Sequence, residues 1–248
     1  MWAGRLTSVT DANFGITKFS YDAVGNLASL TDAVGNTTSW LYEEGSGFRV
    51  QGSGYRVASE TDALGATRFF DYNDAGNLSR YTDRNGKIRQ FGYDTTGNLA
   101  SETWYSTAED AENAENPANV ISIERDSAGR IVSESDDFSS ITYVYNDAGQ
   151  IINTTQSSVD GPTVTLDYQY DSAGRQTQMA ATIDGTADFV DDYTYDTLGR
   201  VVSVVEHGVE GGNGVATKEI DIAYNDANQI VSIDRYQDGQ LVVGGDYS

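Results

Sequence analysis

The chain lacks cysteine altogether, has two prolines and one histidine, and sets only 15 basic residues against 38 acidic ones. Without cysteine there is no disulfide and no thiolate metal site. That fits a cytosolic protein or a bacterial secreted one that does without disulfides. The formal net charge of −23 argues against nucleic acid as a partner, because phosphate binding needs clustered Lys and Arg. No apolar run reaches the length of a membrane-spanning helix, so membrane insertion is not expected. The first residues also lack the basic-then-apolar pattern of a signal peptide. The charge that is present is uneven: residues 1–104 hold 12 acids and 9 bases, residues 105–248 hold 26 acids and 6 bases. An acidic surface of this kind favours solubility and draws in cations or a basic partner.

What the chain does have is a recurring phrase. Tyr93-Asp94-Thr95-Thr96-Gly97-Asn98-Leu99 reads as aromatic, Asp or Asn, two variable residues, Gly, a polar residue, then an aliphatic one. It returns from Tyr21 through Asp22 and Gly25 to Leu27, and from Tyr72 through Gly76 to Leu78. Later copies run from Tyr145 through Gly149 to Ile151, from Tyr170 through Asp171 and Gly174 to Gln176, and from Tyr195 through Asp196 and Gly199 to Val201. The copy at Tyr224 to Ile230 has Asn228 in the Gly place, and the copy at Arg125 to Ile131 keeps Asp126 and Gly129 but loses the Tyr. A short polar residue three before a Gly caps backbone N–H groups in a tight turn, and the Gly takes positive φ without steric cost. Together they predict a type I turn followed by a left-handed Gly, which closes a β-hairpin. So many copies indicate a repeat array.

A second turn of the same chemistry lies between the copies, at Asp11 to Gly15, Asp32 to Gly35, Asp62 to Gly65 and Asp83 to Gly86. The unit is therefore a hairpin of ~20 residues, and the chain an antiparallel meander. Aromatics sit two apart in the return strands, as in Trp40 with Tyr42, Phe91 with Tyr93 and Tyr143 with Tyr145. Residues two apart share a face, so Tyr21, Tyr42, Tyr72, Tyr93, Tyr145, Tyr170, Tyr195 and Tyr224 are expected to form a ladder, largely buried, on one greasy face. Three stretches break the rhythm and are expected as inserted loops: about 43–54, with a degenerate hairpin around Phe48 and Tyr55; 105–119, as a disordered or short helical excursion; and 205–217, a Gly-rich tip that holds His207.

Candidate chemistry is sparse. His207 falls in that Gly-rich loop without a recognisable partner, and no nucleophile elbow accompanies it. The Asp residues recur at turn positions, one per repeat, which is what turn capping requires. Neighbouring acids such as Asp136-Asp137 and Asp191-Asp192 point to opposite faces of a strand. No catalytic or cofactor-binding residue is assigned. The one ion the acidic turns suggest is a structural calcium, held by stacked carboxylates, although no Asp-x-Asp-x-Asp-Gly loop is present.

The phrase resembles the YD repeat, also called the RHS repeat, most closely at Tyr93 to Leu99, Tyr21 to Leu27 and Tyr195 to Val201. Bacterial polymorphic toxins, the shell components of insecticidal toxin complexes and animal teneurins carry it. The resemblance covers nearly the whole chain and implies an all-β fold: a continuous antiparallel hairpin array whose sheet spirals into a shell or β-solenoid-like scaffold. It implies a structural role, encapsulation in the toxins and adhesion scaffolding in the teneurins. Toxin members cleave themselves at an Asp-Pro-x-Gly-like motif, and this sequence has no Asp-Pro dipeptide, so self-cleavage is not implied. The expectation is a single array over 1–248, a fragment of a longer bacterial protein, secreted or at the cell surface. Its partners would be further repeats of the parent chain or copies of itself. The alternatives are an adhesin-like module that binds a glycan or protein, and the shell of a toxin whose toxic domain lies elsewhere.

Overall fold

The computed structural model describes residues 4–44 and 54–247. It holds 20 strands and one short helix, and divides into two compact units between Ser122 and Ile123. In the first unit the order is β1 (Ser8–Thr10), β2 (Ile16–Tyr21), β3 (Leu27–Thr31), β4 (Thr37–Glu44), β5 (Tyr55–Thr61), β6 (Thr67–Tyr72), β7 (Leu78–Thr82), β8 (Ile88–Tyr93), β9 (Leu99–Tyr105), α1 (Ala108–Asn113) and the start of β10 (Asn119–Arg125). In the second it is β11 (Ile131–Ser135), β12 (Ser139–Tyr145), β13 (Ile151–Ser158), β14 (Val164–Tyr170), β15 (Gln176–Ile183), β16 (Thr186–Tyr195), β17 (Val201–Gly208), β18 (Lys218–Tyr224), β19 (Ile230–Gln237) and β20 (Gln240–Asp246). From β1 to β10 and again from β11 to β20, each strand pairs antiparallel with the next in chain order. The fold is the all-β hairpin array that the phrase predicts.

Alternation along the strands gives the sheet its two faces. In β2, Thr17, Phe19 and Tyr21 are half-buried while Ile16, Lys18 and Ser20 are exposed. In β12, Tyr143 and Tyr145 are half-buried around an exposed Val144. A sheet one layer thick cannot enclose a thick core, and here deep burial is rare. The ladder tyrosines lie on the half-buried face of their strands. The fullest burial lies where α1 covers one patch of sheet: Ile88 is 1% exposed, Ala111 4% and Tyr105 6%.

The 105–119 stretch is a helical excursion bounded by Tyr105 of β9 and Asn119 of β10. Thr107 caps α1 by accepting the Asp110 N–H on its hydroxyl, and Glu109 and Asp110 place negative charge in the first turn. Ala114, at φ 54°, turns left-handed and ends the helix. The expectation for 205–217 needs correction. β17 runs through Gly208, so Val205 to Gly208 are strand and only the stretch beyond them is loop. Most of the 43–54 stretch, including Phe48, lies outside the described residues, while Glu43 and Glu44 close β4 and Tyr55 opens β5. No helix is long and apolar enough to cross a membrane among the described residues.

Candidate functional site: stacked turns and their tyrosines

The turn of the phrase is built as its residues demand. Asp94 N–H donates to the Asn98 carbonyl at 2.9 Å and Gly97 N–H donates back to the Asp94 carbonyl at 3.0 Å. The Asp94 carboxylate accepts the backbone N–H groups of Thr96 and Asn98 and the Thr96 hydroxyl. That hydroxyl is the largest of the causes that lower the Asp94 pKa to about 2. Gly97 sits at φ 88°, a left-handed conformation that L side chains rarely adopt, so the position calls for Gly. Gly25, Gly76, Gly129, Gly149, Gly174 and Gly199 occupy the same left-handed region. Asp22, Asp126, Asp171 and Asp196 are held below the ordinary carboxylate range. In Asp126 the chief cause is the Arg130 side chain; in Asp171 and Asp196 it is the backbone N–H of Arg175 and Arg200. In Asp22 desolvation opposes the shift, and hydrogen bonds from Asn26 and its neighbours outweigh it.

Each ladder tyrosine stands at a register shift in its strand pair, as between Ser20 and Tyr21 or Thr194 and Tyr195, and all but Tyr42, which β4 carries on through Glu44, sit directly before the turn. Its hydroxyl reaches back to the previous hairpin. Tyr21 donates to the Leu6 carbonyl, Tyr42 to Leu27, Tyr72 to Val57 and Tyr93 to Leu78. Tyr145 donates to Ile131, Tyr170 to Ile151, Tyr195 to Gln176 and Tyr224 to Val201. The reason lies in the ladder geometry. β3 and β4 pair from Thr31↔Thr37 only as far as Ser29↔Ser39. The Leu27 carbonyl stands beyond the end of that ladder and would lack a partner. The Tyr42 hydroxyl supplies one. The same holds for Leu78 beyond Arg80↔Gln90, Ile151 beyond Asn153↔Asp167 and Val201 beyond Ser203↔Asp221.

Sequence reasoning missed the residue just before the aliphatic. Where it is arginine, it lies over the tyrosine of the next copy: Arg5 over Tyr21, Arg56 over Tyr72, Arg130 over Tyr145, Arg175 over Tyr195 and Arg200 over Tyr224, at 4.5 to 5.6 Å from the ring centre. Arg130, Arg175 and Arg200 also fork onto the Asp of their own turn, with contacts of 2.6 to 2.7 Å. Each of these arginines is thus held between a carboxylate and a ring. Where the slot holds Asn26 or Asn98, the amide donates to the same Asp oxygen instead. The alternation of Asn and Arg in one slot was the signal for this. Asn228 is explained in the same way. It adopts φ 63°, and its side-chain oxygen accepts Arg200 Nη1 at 2.8 Å.

The second polar cluster of note centres on His207, and here the sequence reading is corrected. His207 belongs to β17, opposite Val190 of β16, and Asp192 is its partner. Its Nδ1 lies 3.0 Å from the Gly208 carbonyl and its Nε2 3.0 Å from Asp192 Oδ2. Both neighbours are acceptors, which favours the protonated imidazole. The Gly208 carbonyl first and Asp192 second raise its pKa. Gln178 donates to the other Asp192 oxygen and accepts from Gln169, which extends the chain of hydrogen bonds from β17 to β14. On the opposite face Asp191 faces Glu206, which pairs with Lys218; burial first and Glu206 second push the Asp191 carboxyl up. Among the described residues no group of three or more His, Asp or Glu converges to hold a metal ion.

Comparison with known proteins follows this geometry. The sequence model of the family described as RHS Repeat matches residues 3–44 and 72–103. Those two segments carry RHS repeats. No curated protein sequence matches it. Among solved structures, TcdB2-TccC3 without its hypervariable C-terminal region superposes on 89% of this chain with a TM-score of 0.60 at 14% identity. The Photorhabdus luminescens Tc holotoxin pore with a TccC3 substitution superposes on 92% with a TM-score of 0.50 at 15% identity. At such identities the likeness concerns the fold alone. The chain spans 11% of the first structure's length and 14% of the second's.

Proposed function

We propose that this chain is a structural RHS-repeat segment, one array over 1–248, that forms part of a shell or scaffold wall in a large secreted or cell-surface bacterial protein and has no catalytic activity of its own. One observation carries the reading. The recurring side chains of the phrase are engaged within the array: the Asp in its turn, the Tyr on the preceding hairpin's carbonyl, the Arg between the two. The fold shared with Tc toxin structures supports it. β1 pairs with β2 and β20 with β19, and each leaves an outer edge suited to a further repeat or to another copy. Two measurements test the proposal. Incubation of the purified chain with glycoside and peptide substrates, with mass spectrometry for self-cleavage, is expected to show no turnover. Turnover abolished by His207→Ala would overturn it. Electron microscopy of the parent protein is expected to show an enclosing wall, and an isolated open rod would count against it.

A further inference from the structure

The excursion that replaces the second turn between β9 and β10 builds more than a helix. Its two stems, at Ser106 and Ala118, frame a cleft of about 220 Å³ on the first unit. Tyr81 and Trp104 provide aromatic lining, and Lys87, Arg89 and Asp83 the charged groups. Trp104 is 37% exposed even though Arg89 stacks over it at 4.8 Å from the ring. The Trp104 indole donates to Glu102 at 2.6 Å, and Arg89 lies 3.5 Å from the same carboxylate, so the wall is held in place by its neighbours.

The cations around this cleft are unequal. Arg68 and Arg84 are paired with Glu60, and Arg84 also with Asp62. Arg89 makes a longer contact with Glu102. The Lys87 ammonium has no hydrogen bond or ion pair among the described residues, although the chain holds 38 acids against 15 bases. An unpaired cation beside a half-paired one, at the mouth of an aromatic cleft, suits one ligand chemistry: a negative group on a flat apolar ring. The ring gains contact with Tyr81 and Trp104. The charge gains the exposed cations Lys87 and Arg89 at the mouth.

We propose that this cleft binds a small aromatic carboxylate, with the ring against Tyr81 and Trp104 and the carboxylate between Lys87 and Arg89. The proposal does not depend on the shell reading, because a structural wall and a ligand cleft are compatible, and each can fail alone.

The probe is benzoate, followed by NMR of the Trp104 indole N–H in the whole chain, with phenol, acetate and glucuronate as separate arms. Benzoate should bind with a dissociation constant on the order of 1 mM, as expected for so few atoms. It should bind about tenfold more tightly than phenol, which lacks the charge, and than acetate, which lacks the ring. Lys87→Ala removes an exposed side chain and should keep the fold by circular dichroism while weakening benzoate by about fivefold to tenfold. Ser106→Trp, which fills the cleft from its stem, should abolish binding. Acetate as tight as benzoate would reduce the site to a surface lysine and overturn the proposal. Glucuronate tighter than benzoate would replace the aromatic acid with a sugar acid, and so overturn it too. Failure of benzoate to bind, or binding unchanged in both variants, would do the same.

Discussion

The two units keep one joint and vary everything around it. In the first unit the ladder hydroxyl and its carbonyl are 15 residues apart in all four copies, from Tyr21 with Leu6 to Tyr93 with Leu78. In the second the separation is 14 for Tyr145, 19 for Tyr170 and Tyr195, and 23 for Tyr224. The hydrogen bond itself stays between 2.7 and 3.1 Å throughout. The hairpin is therefore pinned at its tyrosine end, and its far end is free to lengthen. The units differ as well in how the ring is covered. In the second unit Arg130, Arg175 and Arg200 are clamped to an Asp, with Gln150 in the slot before Tyr170, whereas in the first Arg5 and Arg56 cover Tyr21 and Tyr72, and Tyr42 and Tyr93 have asparagine in the covering slot.

The largest effect expected from breaking this contrast is tyrosine truncation. Tyr195→Ala removes a half-buried ring, its carbonyl bond and the seat of Arg175, and should cost about 2–3 kcal/mol in urea unfolding. Tyr93→Ala, without an arginine above it, should cost about 0.5–1 kcal/mol less. Equal costs would show that the arginine layer contributes nothing. Next in size is the turn glycine. Gly97→Ala places a Cβ at φ 88° in open space and should cost about 1 kcal/mol from backbone strain alone. Gly25→Ala should cost more, because the Arg5 guanidinium occupies the position of the new Cβ and must leave Tyr21.

A gain of stability sharpens the comparison from the other side. Asn26→Arg would give the first unit the second unit's clamp, forked onto Asp22 and lying over Tyr42. It should stabilise by about 0.5 kcal/mol in the same unfolding assay. The smallest effect is the pH response. His207 has a folded pKa raised above 6.5, so its contribution is present below pH 6.5 and is lost as pH rises through the raised value. The melting temperature should fall over that range in the native chain and lose this step in His207→Gln. Asp94 works in the opposite sense. Its folded pKa of about 2 lies below 3.8, so its contribution is present above pH 3.8 and is lost as pH falls through about 2. Asp94→Asn should flatten the acid limb of the melting curve.

The turns and the strand order were legible because Asp, Gly and the aliphatic residue each act within a few positions of one another. A local rule decides a local structure, and Asp94 with Gly97 obeys it to the atom. The partners of Tyr195 and Arg175 were not legible because they lie on other copies, and only the register of the sheet brings them together. His207 was misread for a related reason. The glycines that follow it, from Gly208 onwards, suggested a loop, while pairing with β16 held the chain extended as far as Gly208 itself.

The acceptor in each joint is a backbone carbonyl, which every amino acid possesses. The residue that offers it is Leu at 6, 27 and 78, Val at 57 and 201, Ile at 131 and 151, and Gln at 176. The joint is therefore insensitive to mutation on its accepting side, and all of its chemical identity resides in the tyrosine and the turn. Such a joint lets sequence drift while geometry stands still. The family's sequence model matches two segments of this chain, while the same hydroxyl-to-carbonyl bond continues through copies that it does not reach.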